Sequence, residues 1–168
     1  MKLYIMRHGP AEDQTATSRD SDRALTREGA ARVRSVAISL AERGEAPREI
    51  LSSPVVRARE TAEIVAARVF SEPSEHPITF RSELGLTSAR LRALVGELLQ
   101  QGKRRIMLVG HEPSLSDFVE MQLGVRLPLG MQKAMVVSAR VNAIEGSEAW
   151  EVTPRFILEP KTLSYSVL

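Results

Sequence analysis

The 168-residue chain contains no cysteine. Disulfides, thiol nucleophiles and thiolate metal sites are thereby excluded together. Aromatics are scarce as well: seven Phe, Tyr and Trp in all leave few platforms on which unpaired bases could stack. Neither sign of charge dominates. Twenty-three basic side chains face 21 acidic ones, split 11 to 9 over the first 60 residues and 12 to 12 over the rest. With no basic tail or stripe to neutralise a polyanion, nucleic acid is not an expected partner. Long apolar runs are missing too. Nothing approaches the roughly 20 residues of a membrane helix, and Leu3 to Met6 is too short for the apolar region of a secretory signal. The expectation is a soluble, most simply cytoplasmic protein with no membrane partner.

What is present has the balance of an ordinary globular chain, 43% hydrophobic and 26% charged. A domain of about this length buries roughly 70% of the surface its unfolded chain exposes, so one domain over residues 1–168 needs no covalent or metal staple. The basic residues are lopsided in kind, 19 Arg to 4 Lys. Most belong on solvated helix faces. An Arg placed at a pocket would instead offer forked donors matched to carboxylate or phosphate oxygens.

Hydrophobic periodicity divides the chain into alternating strands and helices. Lys2 to Met6 reads as a buried strand ending at Arg7-His8-Gly9. Pro10 to Ala24 is a polar loop or lid. Thr26 caps a helix with Val33, Val36, Ala37, Leu40 and Ala41 on one face, and Gly44 stops it. Glu49 to Ser52 is a second strand; Ser53-Pro54 reads as an N-cap followed by proline at the first helical position of a helix reaching about Val69. Ile78 to Arg81 suggests a third strand. Ser88 is read as the cap of a helix with Leu91, Leu94, Val95 and Leu98 aligned, closed by Gly102. Arg105 to Val109 is another strand, broken by Gly110-His111-Glu112-Pro113, and Ser114 opens a short helix with Leu115, Phe118 and Val119 turned inward. Ala134 to Val141, a turn at Glu145-Gly146, and Ala149 to Thr153 read as a hairpin. The expected fold is a three-layer α/β/α domain, its central sheet mostly parallel, with a C-terminal antiparallel hairpin at the edge.

Ligands of open α/β sheets sit beyond the carboxyl ends of the strands. There the first strand delivers Arg7, His8 and Gly9, the second leads into a helix whose first turn carries Arg57, and the later strand delivers His111. Two imidazoles and two guanidiniums at one sheet edge suit a small, highly charged anion, of which a phosphoryl group is the natural example. A metal site built from the same histidines with Glu12, Asp13 or Glu112 is the competing reading; an adjacent Arg would repel the cation, and no third His is placed to help. His76, between Glu75 and Pro77, reads as a surface-loop residue. Neither metal nor cofactor is called for.

Arg7-His8-Gly9 after an N-terminal strand, Arg23-Ala24-Leu25-Thr26 with Gly29, the S-P-x-x-R-A-x-x-T run from Ser53 to Thr61, and Gly110-His111 together resemble the histidine phosphatase superfamily. Within it, the short SixA-like phosphohistidine phosphatases are the nearest type. The resemblance covers residues 2 to about 120. It implies that His8 is the nucleophile and is transiently phosphorylated, while Arg7, Arg57 and His111 hold the phosphoryl oxygens. Neighbouring guanidiniums would help keep His8 neutral. Gly9 and Arg23 join as further substrate-binding positions, Arg23 either closing the phosphate pocket or forming a salt bridge. Ala24 stands where the family usually has Pro. Ser53 and Thr61 match the motif but are accounted for as a helix cap and a packed helix residue. Glu112 is read as favouring the start of the helix that follows it.

Phosphomonoesterases and mutases of the superfamily generally carry a carboxylic acid after the third strand to protonate the leaving oxygen. Here Leu86 falls at that position and Glu83 is out of register. A phosphoramidate depends least on such an acid, because its imidazole can carry the proton on its other nitrogen. The resemblance therefore implies hydrolysis of phosphohistidine on a protein, such as a phosphotransfer domain or phosphocarrier, with inorganic phosphate as product. The short chain leaves little room for a covering insertion, which also suits a protein substrate. A small-molecule phosphomonoesterase and a non-catalytic phosphate- or phosphoprotein-binding module are the alternatives.

Overall fold

The computed structural model describes residues 1–17, 19–72 and 78–168; His76 lies outside them. Strands and helices alternate as β1 (Lys2–Arg7), α1 (Arg27–Glu42), β2 (Glu49–Ser52), α2 (Val56–Val69), β3 (Thr79–Phe80), α3 (Ser88–Gln100), β4 (Arg105–Gly110) and α4 (Ser114–Leu123), followed by β5 (Val136–Ala143), β6 (Trp150–Leu158) and β7 (Tyr165–Val167). Seven strands form one mixed sheet in the order β3-β2-β4-β1-β5-β6-β7. The β3, β2, β4 and β1 pairings are parallel, and those from β1 through β5 and β6 to β7 are antiparallel.

The three layers follow from the two-residue period of the strands. Leu3 and Ile5 of β1, with Leu51, Ile106 and Leu108, face α3 and α4 through Leu91, Leu94, Phe118 and Val119. Tyr4 and Met6, with Ile50, Met107 and Val109, face α1 and α2 through Val33, Val36, Leu40, Ala62 and Val65. β1 and β4 are thus buried on both sides, which is why they read as continuous apolar runs. No helix among the described residues is long and apolar enough to cross a membrane.

Thr26 caps α1 as expected, its Oγ1 accepting from Gly29 N at 2.9 Å. Elsewhere the boundaries move. α2 begins at Val56, not at Pro54, and no side chain caps it. Thr87, one residue before Ser88, caps α3 by accepting from Arg90 N. β3 shrinks to two residues. The hairpin runs longer than its sequence signal because β6 passes through Pro154. Proline cannot donate to a ladder, and a register shift between Ser138 and Ala139 opposite absorbs it. β7, which has no clear sequence signal, extends the sheet by three residues.

Candidate active site

β4 lies between β1 and β2, with Arg7 paired to Gly110 and Ser52 to Val109, so three strand ends open side by side. The structure brings Arg7, His8, Arg57 and His111 together there. The His8 and His111 rings stand 5.1 Å apart. A cleft of about 640 Å³ lined by Arg43, Glu45, Arg155, Phe156 and Tyr165 lies elsewhere. Its Glu45 pairs with Lys2, at the opposite end of β1 from Arg7, and it holds no histidine.

His8 is 6% exposed. Its Nδ1 lies 2.7 Å from the carbonyl oxygen of Gly9, an atom that only accepts, so Nδ1 carries the proton. Nε2 is left with its lone pair, accepting from Arg57 Nε at 3.3 Å. Burial, with smaller contributions from His111, Arg57 and Arg7, pushes the His8 pKa down to about 3. The ring is therefore neutral at physiological pH.

His111 is brought down to about 4, by burial first and then by Arg57. Its Nε2 lies 2.9 Å from Ser53 Oγ, and its Nδ1 is buried without a protein partner. Ser53 Oγ also accepts from Val55 N at 3.4 Å, and its hydroxyl proton can be donated to His111 Nε2. In that tautomer Nδ1 carries the proton and is a donor available to an anion. Ser53, read from sequence as a helix cap, instead hydrogen-bonds the His111 ring. The S-P-x-x-R motif match was the signal that could have found it.

Thr61 likewise does more than pack. Fully buried, it donates to Arg57 O at 2.7 Å and accepts from Gly9 N at 3.0 Å, tying the turn after β1 to α2. The N–H of Gly9 is thus committed to Thr61 and its carbonyl to His8. Close packing explains the glycine: a Cβ there would stand 2.6 Å from Val33 Cγ2, and one at Gly29 would stand 1.9 Å from Pro10 O.

Arg7 donates through Nη1 to Met131 O at 2.6 Å, while its buried Nε has no protein partner. The negative charge of Glu112 acts on it, and the Glu112 carboxylate accepts from Ser116 Oγ of α4, in keeping with its expected place just before that helix. Arg23 forms a salt bridge with Asp20 at 2.6 Å. Asp20, which carried no sequence signal within its polar loop, accepts from Arg57 Nη2 at 2.9 Å. Glu83 is engaged by Arg81 at 2.9 Å, and Leu86 is exposed. The assembly offers two neutral imidazoles, one with its Nε2 lone pair turned inward, beside the guanidiniums of Arg7 and Arg57.

A model of the histidine phosphatase superfamily (branch 1) matches residues 3–84. An uncharacterized protein of Picosynechococcus sp. is 35% identical over 175 residues, spanning 94% of this chain and 99% of that protein. The chain belongs to the histidine phosphatase superfamily. Among members of this superfamily, the phosphohistidine phosphatase SixA of Escherichia coli is 29% identical, with 92% of this chain and 94% of that protein covered. The solved structure of the protein histidine phosphatase SixA complexed with tungstate superposes with a TM-score of 0.82 at 25% identity, covering 98% of this chain and all of that one. Membership supports a phosphatase activity on a phosphorylated substrate.

Proposed function

We propose that the protein hydrolyses phosphohistidine displayed on another protein, a phosphotransfer domain or phosphocarrier, through a phosphorylated His8. The observation that carries this reading is a neutral His8 with its Nε2 lone pair turned toward Arg57, beside a site poor in proton donors. Leu86 occupies the expected acid position, Glu83 is bound to Arg81, and Asp20 is held ionised by Arg23 and Arg57. An alkoxide leaving group would need an acid that these residues do not supply. A phosphorylated imidazole brings its own proton.

In the first step the Nε2 lone pair forms a bond to phosphorus as the bond from phosphorus to the substrate imidazole breaks. The departing electron pair stays on that ring, whose other nitrogen already carries a proton, so the imidazole leaves neutral. Arg7, Arg57 and the Nδ1–H of His111 hold the equatorial oxygens as charge spreads over them. Water then attacks the phosphorus of phosphorylated His8 as its bond to Nε2 breaks; the electron pair returns to Nε2, leaving the ring neutral with Nδ1 protonated, and inorganic phosphate departs with the water's oxygen, a proton passing to solvent. No step uses a metal, so vanadate or tungstate should inhibit and chelators should not.

Phosphate release from a phosphohistidine protein, measured for the native protein and His8→Ala, tests the reading. Activity should fall at least ~10³-fold, and the native protein should yield an acid-labile phosphoenzyme at His8. Full activity in the variant removes His8 as nucleophile. Strong turnover of sugar or nucleotide phosphates with none of phosphohistidine would make the protein a phosphomonoesterase, and phosphate binding without turnover a binding module.

A further inference from the structure

An arginine guanidinium has two forked edges, an end edge formed by the two Nη groups and a side edge formed by Nε and one Nη. At Arg57 the end edge is filled from one residue. Nη1 donates to Asp20 O at 2.7 Å and Nη2 to Asp20 Oδ2 at 2.9 Å, so backbone and side chain of Asp20 form a two-pronged clamp. The side edge is consequently turned inward, with Nε at 3.3 Å from His8 Nε2.

The clamp is itself braced. Asp20 Oδ1 accepts from Arg23 Nε at 2.9 Å and Nη2 at 2.6 Å, and Arg23 Nη1 donates to Glu12 O at 2.8 Å. Glu12 N bonds Ala24 O, and Leu25 N bonds Glu60 on α2, pinning the base of the loop to the helix that carries Arg57. Two guanidiniums share one carboxylate, so the chain of contacts keeps net positive charge for an incoming oxyanion.

We propose that Asp20, braced by Arg23, is a positioning residue that holds the side edge of Arg57 toward the phosphoryl site. A long, otherwise mobile side chain is thereby ordered before substrate arrives, and an oxyanion seated against Nε–H and the adjacent Nη–H need not displace the carboxylate. Arg23 then acts two contacts away from the phosphoryl group and does not touch it. This rests on the phosphatase reading only where activity is the readout.

A double-mutant cycle over Asp20→Ala and Arg57→Ala decides it, reading kcat and KM with phosphoimidazole and tungstate affinity by calorimetry. Asp20→Ala should lower kcat/KM and weaken tungstate on the order of tenfold, and should change either by less than about twofold once Arg57 is gone. Asp20→Asn, which keeps an acceptor for Arg57, should recover part of the loss. Arg23→Ala should lose less than Asp20→Ala, in the same direction. An equal loss from Asp20→Ala with and without Arg57, or a gain in tungstate affinity on removing the carboxylate, overturns the proposal. If the native protein turns over no phosphoimidazole, the phosphohistidine reading fails, while the tungstate cycle still decides the clamp. Asp20, its side chain half exposed, opens a single 3-10 turn (Asp20–Asp22) outside both cores, and thermal melts identify any variant that has lost its fold.

Discussion

The parallel half of the sheet, β3-β2-β4-β1, and its antiparallel half, β5-β6-β7, differ in what they contribute to the site. Arg7, His8, Arg57 and His111 all follow from the parallel strands. The antiparallel half and the turn leading into it supply backbone instead. Met131 O receives the Arg7 guanidinium, Met135 O receives Arg7 N, and Ala134 N donates to the carbonyls of both Arg7 and His8. One half brings the reacting groups and the other fixes the backbone that presents them. A functional group must have a particular side chain, whereas a backbone brace needs only a position, so the two halves carry very different amounts of sequence signal.

The comparison can be broken by substitutions that separate stability from chemistry. Phe156, 6% exposed on β6 and set against the rings of Tyr4 and Tyr165, should cost about 3–5 kcal/mol when replaced by alanine. Denaturant unfolding should show that loss while kcat per folded molecule changes little; an equal loss of kcat would mean the antiparallel half enters the chemistry directly. Arg57→Ala should do the reverse. About 2.7–4 kcal/mol of transition-state stabilisation, a factor of 10² to 10³ in kcat, should go with little change in melting temperature. Ser53→Ala should fall between them, near tenfold in kcat with KM less affected, because it removes the hydrogen-bond partner of His111 Nε2 and leaves the imidazole in place.

The remaining effect is on pH. The folded pKa values of His8, about 3, and His111, about 4, lie below the ordinary histidine value. Below pH 6.5 the unfolded chain takes up protons that the folded one refuses, so stability should decline as pH falls from about 6.5 toward 4. Replacing His8 and His111 by glutamine should flatten that slope in melts taken across the range. By the same depressed values, kcat/KM should show no acid-side break near pH 6.5 from the enzyme.

Much of the site was legible because the parallel half announces it. Apolar runs bounded by glycine in β1 and β4 and by Ser53-Pro54 in β2 place three strand ends, and chemistry-bearing residues stand at or soon after them. Ser53 and Thr61 were visible but assigned to helix structure, since a hydroxyl near a helix start satisfies capping rules whether or not it also serves a histidine. Asp20 was not legible. Its partner Arg57 is 37 residues away, and one aspartate among the polar residues of 10–24 has no distinguishing neighbour. Ala134 is a further case: buried and held at φ 70°, a conformation that favours glycine, it keeps its place through bonds to Arg7 and His8 that no local pattern encodes.

Sequence by itself determined the alternation of strands and helices, the two-sided burial of β1 and β4, and the residues stationed at the strand ends. These follow from local periodicity and from the rule that strand ends of a parallel sheet converge on one edge. Only the tertiary structure decided which nitrogen of His8 holds the proton, which edge of Arg57 faces that ring, and that Asp20 takes the other edge. Those outcomes depend on hydrogen bonds between groups far apart in the chain, whose geometry exists only after the layers have packed.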